Sequence, residues 1–172
     1  QLESYIKNNQ SLTALGIMLS LYAGLRIGEV CALRWNNIDF KNRIITVDST
    51  IVRIKNENNK WIYKVGPPKT TYSKRDIPIT NNLYQLLTAE FRNNKSPYII
   101  SNQESFLNIR TFEYRYHKLL KDADLYPHNF HTFRHTFATR CIESGVDIKT
   151  LSEVLGHSSV SFTLNTYVHP SF

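Results

Sequence analysis

The chain has 172 residues, 41% of them hydrophobic, enough for one ordinary globular domain with an enclosed core and a squeeze for two. Its 21 Lys and Arg against 14 Asp and Glu leave a formal charge of +7, which suits a polyanionic partner such as nucleic acid without establishing one. No apolar run reaches the ~18 residues of a membrane span, no leader opens the chain, and Cys31 and Cys141 lack metal-site spacing, so a cytoplasmic protein with reduced core thiols and neither metal nor cofactor is expected.

Residues 1–10 read as the end of an interdomain linker or the start of a first helix. Ser11 to Tyr22 is dense in leucine and isoleucine, predicting a largely buried helix stopped by Gly24. Gly28 to Trp35 continues as a second helix, ended by Asn36 and Asn37. From Arg43 to Pro78 the period changes to two, in short β-branched and aromatic runs separated by the polar stretches 55–60 and 66–74. This predicts a small antiparallel meander with an exposed basic turn. Helical spacing then returns through Leu83 to Phe91, Ile109 to Leu119, and Phe130 to Ser144. Asp147 is placed to cap a helix that stops at Gly156, and a shorter last helix carries Val160, Leu164 and Tyr167.

Three segments set cationic or imidazole groups beside helix ends, where free backbone N–H groups favour an anion. In AGLRIGEV, residues 23–30, Arg26 follows the Gly24 stop and Glu29 is near enough to orient its guanidinium; an ordinary surface ion pair is the plain alternative. In HTFRHTFATR, residues 131–140, His131 and Arg134 share a helix face. They pair a group that exchanges protons near neutral pH with a fork that fits a phosphate. His131 and His135 also have the i, i+4 spacing of zinc ligands, but the Glu of an HExxH motif and a third ligand are missing. In LGHSSVSFTLNTYVHP, residues 155–170, His157 follows the Gly156 stop and Tyr167 lies ten residues on, on a stripe with Val160 and Leu164 that core packing alone would explain. The turn PPKTTYSKRDIPI, residues 67–79, adds Lys69 and Lys74, for which solubility or edge protection is the usual reason. Together, two Arg, two His, a Lys and a Tyr suit metal-free attack on a phosphodiester, because paired guanidiniums can neutralise a pentacoordinate phosphorane.

In order and in local sequence these motifs, Arg in LRIGE, Lys in a β-turn, HxxR, LGH and a late Tyr, resemble the catalytic signature of the tyrosine recombinase (phage integrase) family, from about Ser11 to Pro170. The resemblance implies an α+β fold, mainly α-helical, with a small antiparallel three-stranded β-sheet carrying the catalytic Lys hairpin. It implies Arg26, His131, Arg134 and His157 as the phosphate-activating set, Glu29 as support for the first Arg, Tyr167 as nucleophile and Lys69 as general acid, with Lys74 in the same turn as the alternative. The ten-residue step from His157 to Tyr167 is one longer than in Xer and lambda-type members and is like integrases of Gram-positive phages and conjugative transposons. The implied activity is site-specific recombination of double-stranded DNA through a 3′-phosphotyrosyl intermediate and a four-way junction. The implied assembly is a tetramer on DNA, with an excision factor as a further partner, residues 11–172 being the catalytic domain. Members carry an N-terminal helical domain on the other face of DNA and a C-terminal helix docking into a neighbour. Neither fits here, so a monomeric fragment with a weakly held Tyr167 helix is expected. Two rival activities share the signature. A type IB topoisomerase would rejoin the original strand, and a catalytically silent domain would only bind DNA.

Overall fold

The computed structural model describes residues 1–68 and 70–167, Thr71 by its backbone alone. The first helix, α1 (Leu2–Asn8), buries Ile6 in the core and reaches the sixth helix through an Arg140–Glu3 ion pair of 2.9 Å. Next comes α2 (Leu12–Ala23), whose twelve residues are almost all apolar, so it has no polar face to show to water and sits in the middle of the domain. Ser11 opens it by accepting from the Ala14 N–H at 3.1 Å. Gly24 closes it at φ +65°, where a Cβ would also stand 2.6 Å from the Phe137 ring; both conformation and space require glycine there.

The second predicted helix is shorter than its apolar spacing suggests. α3 (Ile27–Ala32) stops at Leu33, which turns extended, and Trp35–Asn37 form a separate single turn. The cause is pairing that competes with the helix, one bond local and one distant: the Asn37 side chain accepts from the Arg34 N–H, and Trp35 donates its N–H to the Pro97 carbonyl.

The strand region divides into two sheets. β1 (Ile38–Asp39), β2 (Ile44–Val47) and β5 (Arg75–Pro78) form an antiparallel sheet in the order β1-β2-β5, with Ile45 opposite Ile77 and both buried. β3 (Thr50–Lys55) and β4 (Trp61–Gly66) pair only with each other, Lys55 opposite Trp61 at the tip. Asp48 and Ser49 break the run after β2, and β3 leaves the first sheet to pack on α3, with the Thr50 hydroxyl and Ile51 backbone against Gly28. The 67–74 segment therefore links one sheet to the other and is no hairpin tip, while the predicted three-stranded antiparallel sheet is present.

Helices α4 (Asn81–Asn93), α5 (Ile109–Asp122), α6 (His131–Glu143), α7 (Ile148–Leu155) and α8 (Val160–Tyr167) complete the domain. α2 packs on α3, α4, α5 and α6. An aromatic cluster of Phe112, Tyr116, Phe130 and Phe133, with centroids 5.2 to 5.8 Å apart, seats α6 on α5. Asp147 caps α7 by accepting from the Thr150 N–H, and Gly156 ends it in the left-handed region at φ +65°. Cys31 is buried and Cys141 half-buried, both as free thiols. No helix among the described residues is long and apolar enough to cross a membrane.

Candidate active site

The two helix stops at Gly24 and Gly156 bring distant segments together. Arg134, on the inner face of α6, is only 1% exposed, and a buried guanidinium must find acceptors for its donors. It finds them at both stops: Nη1 donates to the Gly24 carbonyl and Nη2 to the Leu155 carbonyl, each at 2.6 Å, and Nη2 also lies 3.0 Å from His157 Nε2. Its Nε–H has no partner among the described residues. Burial, and then the positive charge of Arg26, lower the Arg134 pKa to about 9, so the group is still a cation at neutral pH.

That contact fixes the protonation pattern of His157. A guanidinium only donates, so Nε2 must be the acceptor, and Nδ1 carries the hydrogen that it gives to the Thr163 hydroxyl at 2.8 Å. Burial and the cations Arg134, Arg26 and Arg75 push the His157 pKa down to about 4, which keeps the ring neutral at pH 7.

Arg26 lies just before the first turn of α3, its side chain 36% exposed toward a cleft of about 680 Å³. Its Nη1 donates to Glu29 Oε1 at 2.9 Å, its backbone N–H to Glu29 Oε2 at 2.9 Å, and Nη2 approaches the Gly156 carbonyl at 3.4 Å. Both guanidiniums are thus tied to the Leu155–Gly156 turn that presents His157. Glu29 is 2% exposed; burial alone would raise its pKa, but the hydrogen bond and charge of Arg75, followed by those of Arg26, hold it below the usual carboxylate range.

Tyr167, half-buried, packs on the small cluster of Ala138, Leu151 and Leu155. Its ring is stacked on His157, centroids 6.1 Å apart at 6°, and lies 5.0 Å from the ring of His135. Tyr167 is not displaced from the site: it stands beside His157, near Arg134, on a helix that buries only Thr163. His131 is exposed at the start of α6, 4.9 Å from His135 across ring centroids; burial, Arg134, His135 and Arg26 lower its pKa, so it is a neutral proton acceptor at pH 7. No group of three or more His, Cys, Asp or Glu gathers into a metal-binding set among the described residues. Lys69 lies outside the described residues, though its neighbours Pro68 and Thr70 line the cleft; Lys74 is exposed at the far end of the link.

Arg26 and His157 line the cleft, Arg134 bonds to His157 from the buried side, and the Tyr167 phenol stacks on the same ring, so two fixed cations, an imidazole and a phenol meet at the Leu155–His157 turn. A model of the phage integrase family matches residues 1–172. The chain belongs to that family. It is 35% identical over 173 residues to a tyrosine recombinase XerC-like protein of Caldanaerobacter subterraneus subsp. tengcongensis, covering 88% of this chain and 44% of that protein. To the transposase from transposon Tn916 of Enterococcus faecalis it is 27% identical over 176 residues, 91% of this chain and 42% of that one. Among solved structures, the Tn1549 transposon integrase in complex with a circular intermediate DNA superposes with a TM-score of 0.79 at 28% identity, over all of this chain and 60% of that one. The chain spans less than half the length of these two curated relatives. The α+β, mainly helical fold expected for an integrase catalytic domain is the one observed.

Two residues of this integrase-family site escaped the sequence reading. Arg75 opens β5 with its side chain 5% exposed and takes both Glu29 oxygens, Nη2 to Oε2 at 2.9 Å and Nη1 to Oε1 at 3.0 Å. A signal existed: at period two Arg75 shares the inward face with Ile77, and an inward arginine demands a buried carboxylate. His135 was weighed only as a zinc ligand, yet it is a ring in contact with Tyr167.

Proposed function

We propose that this chain is the catalytic domain of a site-specific DNA recombinase that integrates and excises a mobile element. The observation that carries the reading is the convergence of Arg26, Arg134 and His157 on the Leu155–His157 turn, with Tyr167 stacked against His157. A scissile phosphate in the cleft would meet the forks of Arg26 and Arg134 and the hydrogen-bonding edge of His157, charges preset for the phosphorane and needing little reorganisation. A tyrosine hydroxyl ordinarily titrates near ~10, so the attack needs both that field and a base. Neutral His131 takes the proton. Tyr167 Oη bonds to phosphorus, the bond to the 5′-oxygen breaks, and Lys69 protonates the leaving oxygen. The 3′-phosphotyrosyl linkage conserves the bond, so a 5′-hydroxyl from a second duplex can reverse the step and join new strands. Exchange between two duplexes calls for four such sites, hence a homotetramer on double-stranded DNA. The similarity to transposon proteins favours a mobile element over chromosome-dimer resolution.

The test is a nicked suicide duplex that traps the covalent adduct. The unchanged protein is expected to form the adduct and Tyr167→Phe to bind the duplex without forming it, a loss of at least ~10⁴-fold. Adduct formation by Tyr167→Phe at a comparable rate removes Tyr167 as nucleophile. Supercoil relaxation without strand exchange would instead mark a topoisomerase.

A further inference from the structure

Glu29 sits between two guanidiniums, and the way they divide it matters. Arg75 binds both oxygens, Nη1 to Oε1 and Nη2 to Oε2, while Arg26 is left a single side-chain bond from Nη1 to Oε1. Arg75 is otherwise spent on backbone: Nε donates to the Val154 carbonyl and Nη1 also to the Ser73 carbonyl at 3.0 Å. Its stem is wedged under the turn before His157, since a Cβ on Gly156 would stand 3.1 Å from Arg75 Cδ. All three of its nitrogens are engaged and it does not line the cleft, whereas Arg26, its side chain 36% exposed, does.

A buried carboxylate facing one guanidinium pairs with it fork to fork and cancels its charge. Here the fork is already taken. Two guanidiniums and one carboxylate leave one net positive charge, and its exposed end is Arg26.

We propose that Arg75 is a positioning residue: by binding both Glu29 oxygens through its two Nη groups it keeps the Arg26 fork from collapsing onto that carboxylate and leaves its charge turned to the phosphate in the cleft. This rests on the recombinase reading above. The effect is on the chemical step and reaches no DNA contact of Arg75 itself.

The test uses the protein as its gene encodes it and reads two quantities, single-turnover adduct formation on the nicked duplex and equilibrium affinity for uncleaved duplex. Arg75→Met, which keeps the stem, is expected to slow adduct formation by ~30-fold or more while affinity changes by less than ~threefold. Adding Glu29→Gln to Arg75→Met is expected to recover at least ~fivefold of that loss, because the carboxylate that captures Arg26 is gone and a neutral pair replaces a buried ionic one. Arg75→Lys keeps a charge without the fork and is expected to fall between; it carries the comparison, alone and with Glu29→Gln, if Arg75→Met does not fold. A purely structural role predicts that rate and affinity fall together with melting temperature and that the second substitution makes matters worse. That pattern, or wild-type cleavage by the folded Arg75 variants, overturns the inference. A wild-type protein that forms no adduct overturns the recombinase reading as well, so the two failures are distinguishable.

Discussion

The α3 side of the site and its α8 side are fastened by different forces. On the α3 side, Glu29 holds Arg26 and Arg75 through four bonds of 2.9 to 3.0 Å at 3% side-chain exposure, and Arg134 is bound to two carbonyls beneath them. On the α8 side, Tyr167 is held by ring contacts and a small apolar cluster. Its helix buries Thr163 alone and exposes Val160, Phe162 and Leu164. The charge that a phosphate would meet is built into the core, where moving it would strand buried polar groups. The phenol rides on an element of low contact density that can separate from the domain at small cost. On the recombinase reading proposed above, preset cations beside an adjustable phenol suit a reaction in which the tyrosine must attack, stay attached and later leave.

The largest effect should come from weakening the fixed side. Arg134→Lys leaves one ammonium where three acceptors were met, and it should cost ~2–4 kcal/mol of stability and ~10³-fold in cleavage, read by urea melts and single-turnover rates. Retention of both within a factor of three would mean that the buried fork is dispensable. Next comes Gly24→Ala, which forces a Cβ to φ +65° and 2.6 Å from the Phe137 ring. A loss of ~2 kcal/mol is expected in the same melts, with no change in metal or salt dependence. No loss would place the strain elsewhere.

A smaller effect separates the sides by pH. The folded pKa of His157 is about 4 against ~6.5 in an unfolded chain. The unfolded chain therefore takes up a proton that the folded one refuses. The group is neutral in its effect above pH ~6.5, and stability is lost as pH falls through the window down to about 4. His131 acts with the same sign, so the measurement is a difference: melting temperature should fall less steeply with acidification in His157→Gln than in the parent. Parallel curves would contradict a buried neutral ring. The smallest effect belongs to the exposed face of α8, where Phe162→Ser should stay within ~0.5 kcal/mol of the parent in the melts. A large loss there would show that the helix is more firmly seated than its burial indicates.

What the sequence revealed followed the range of the interactions involved. Gly24, Gly156 and Asp147 were legible because a helix stop or cap is settled within four residues, and each stands where it was expected. Arg26, Arg134, His157 and Tyr167, which the structure brings together, were named from the order of their motifs along the chain. Arg75 was overshadowed by Lys69 and Lys74, its partner Glu29 being 46 residues away. The split of the meander into two sheets was likewise hidden, since alternation gives the face of a strand and says nothing of its neighbour. The early end of α3 depended on Pro97, more than sixty residues downstream.

The hydrogen-bonding pattern of His157 carries a consequence for calorimetry. Nε2 accepts from Arg134 and Nδ1 donates to Thr163. A phosphate that drew the Arg134 fork toward itself would offer Nε2 an anionic oxygen, and the ring can bond that oxygen either by gaining a hydrogen or by moving its own from Nδ1 to Nε2 while the Thr163 hydroxyl turns to donate to Nδ1. Association with duplex DNA at neutral pH draws a proton from solution in the first case and none in the second, so a heat of binding that varies with the ionisation enthalpy of the buffer would mark the first.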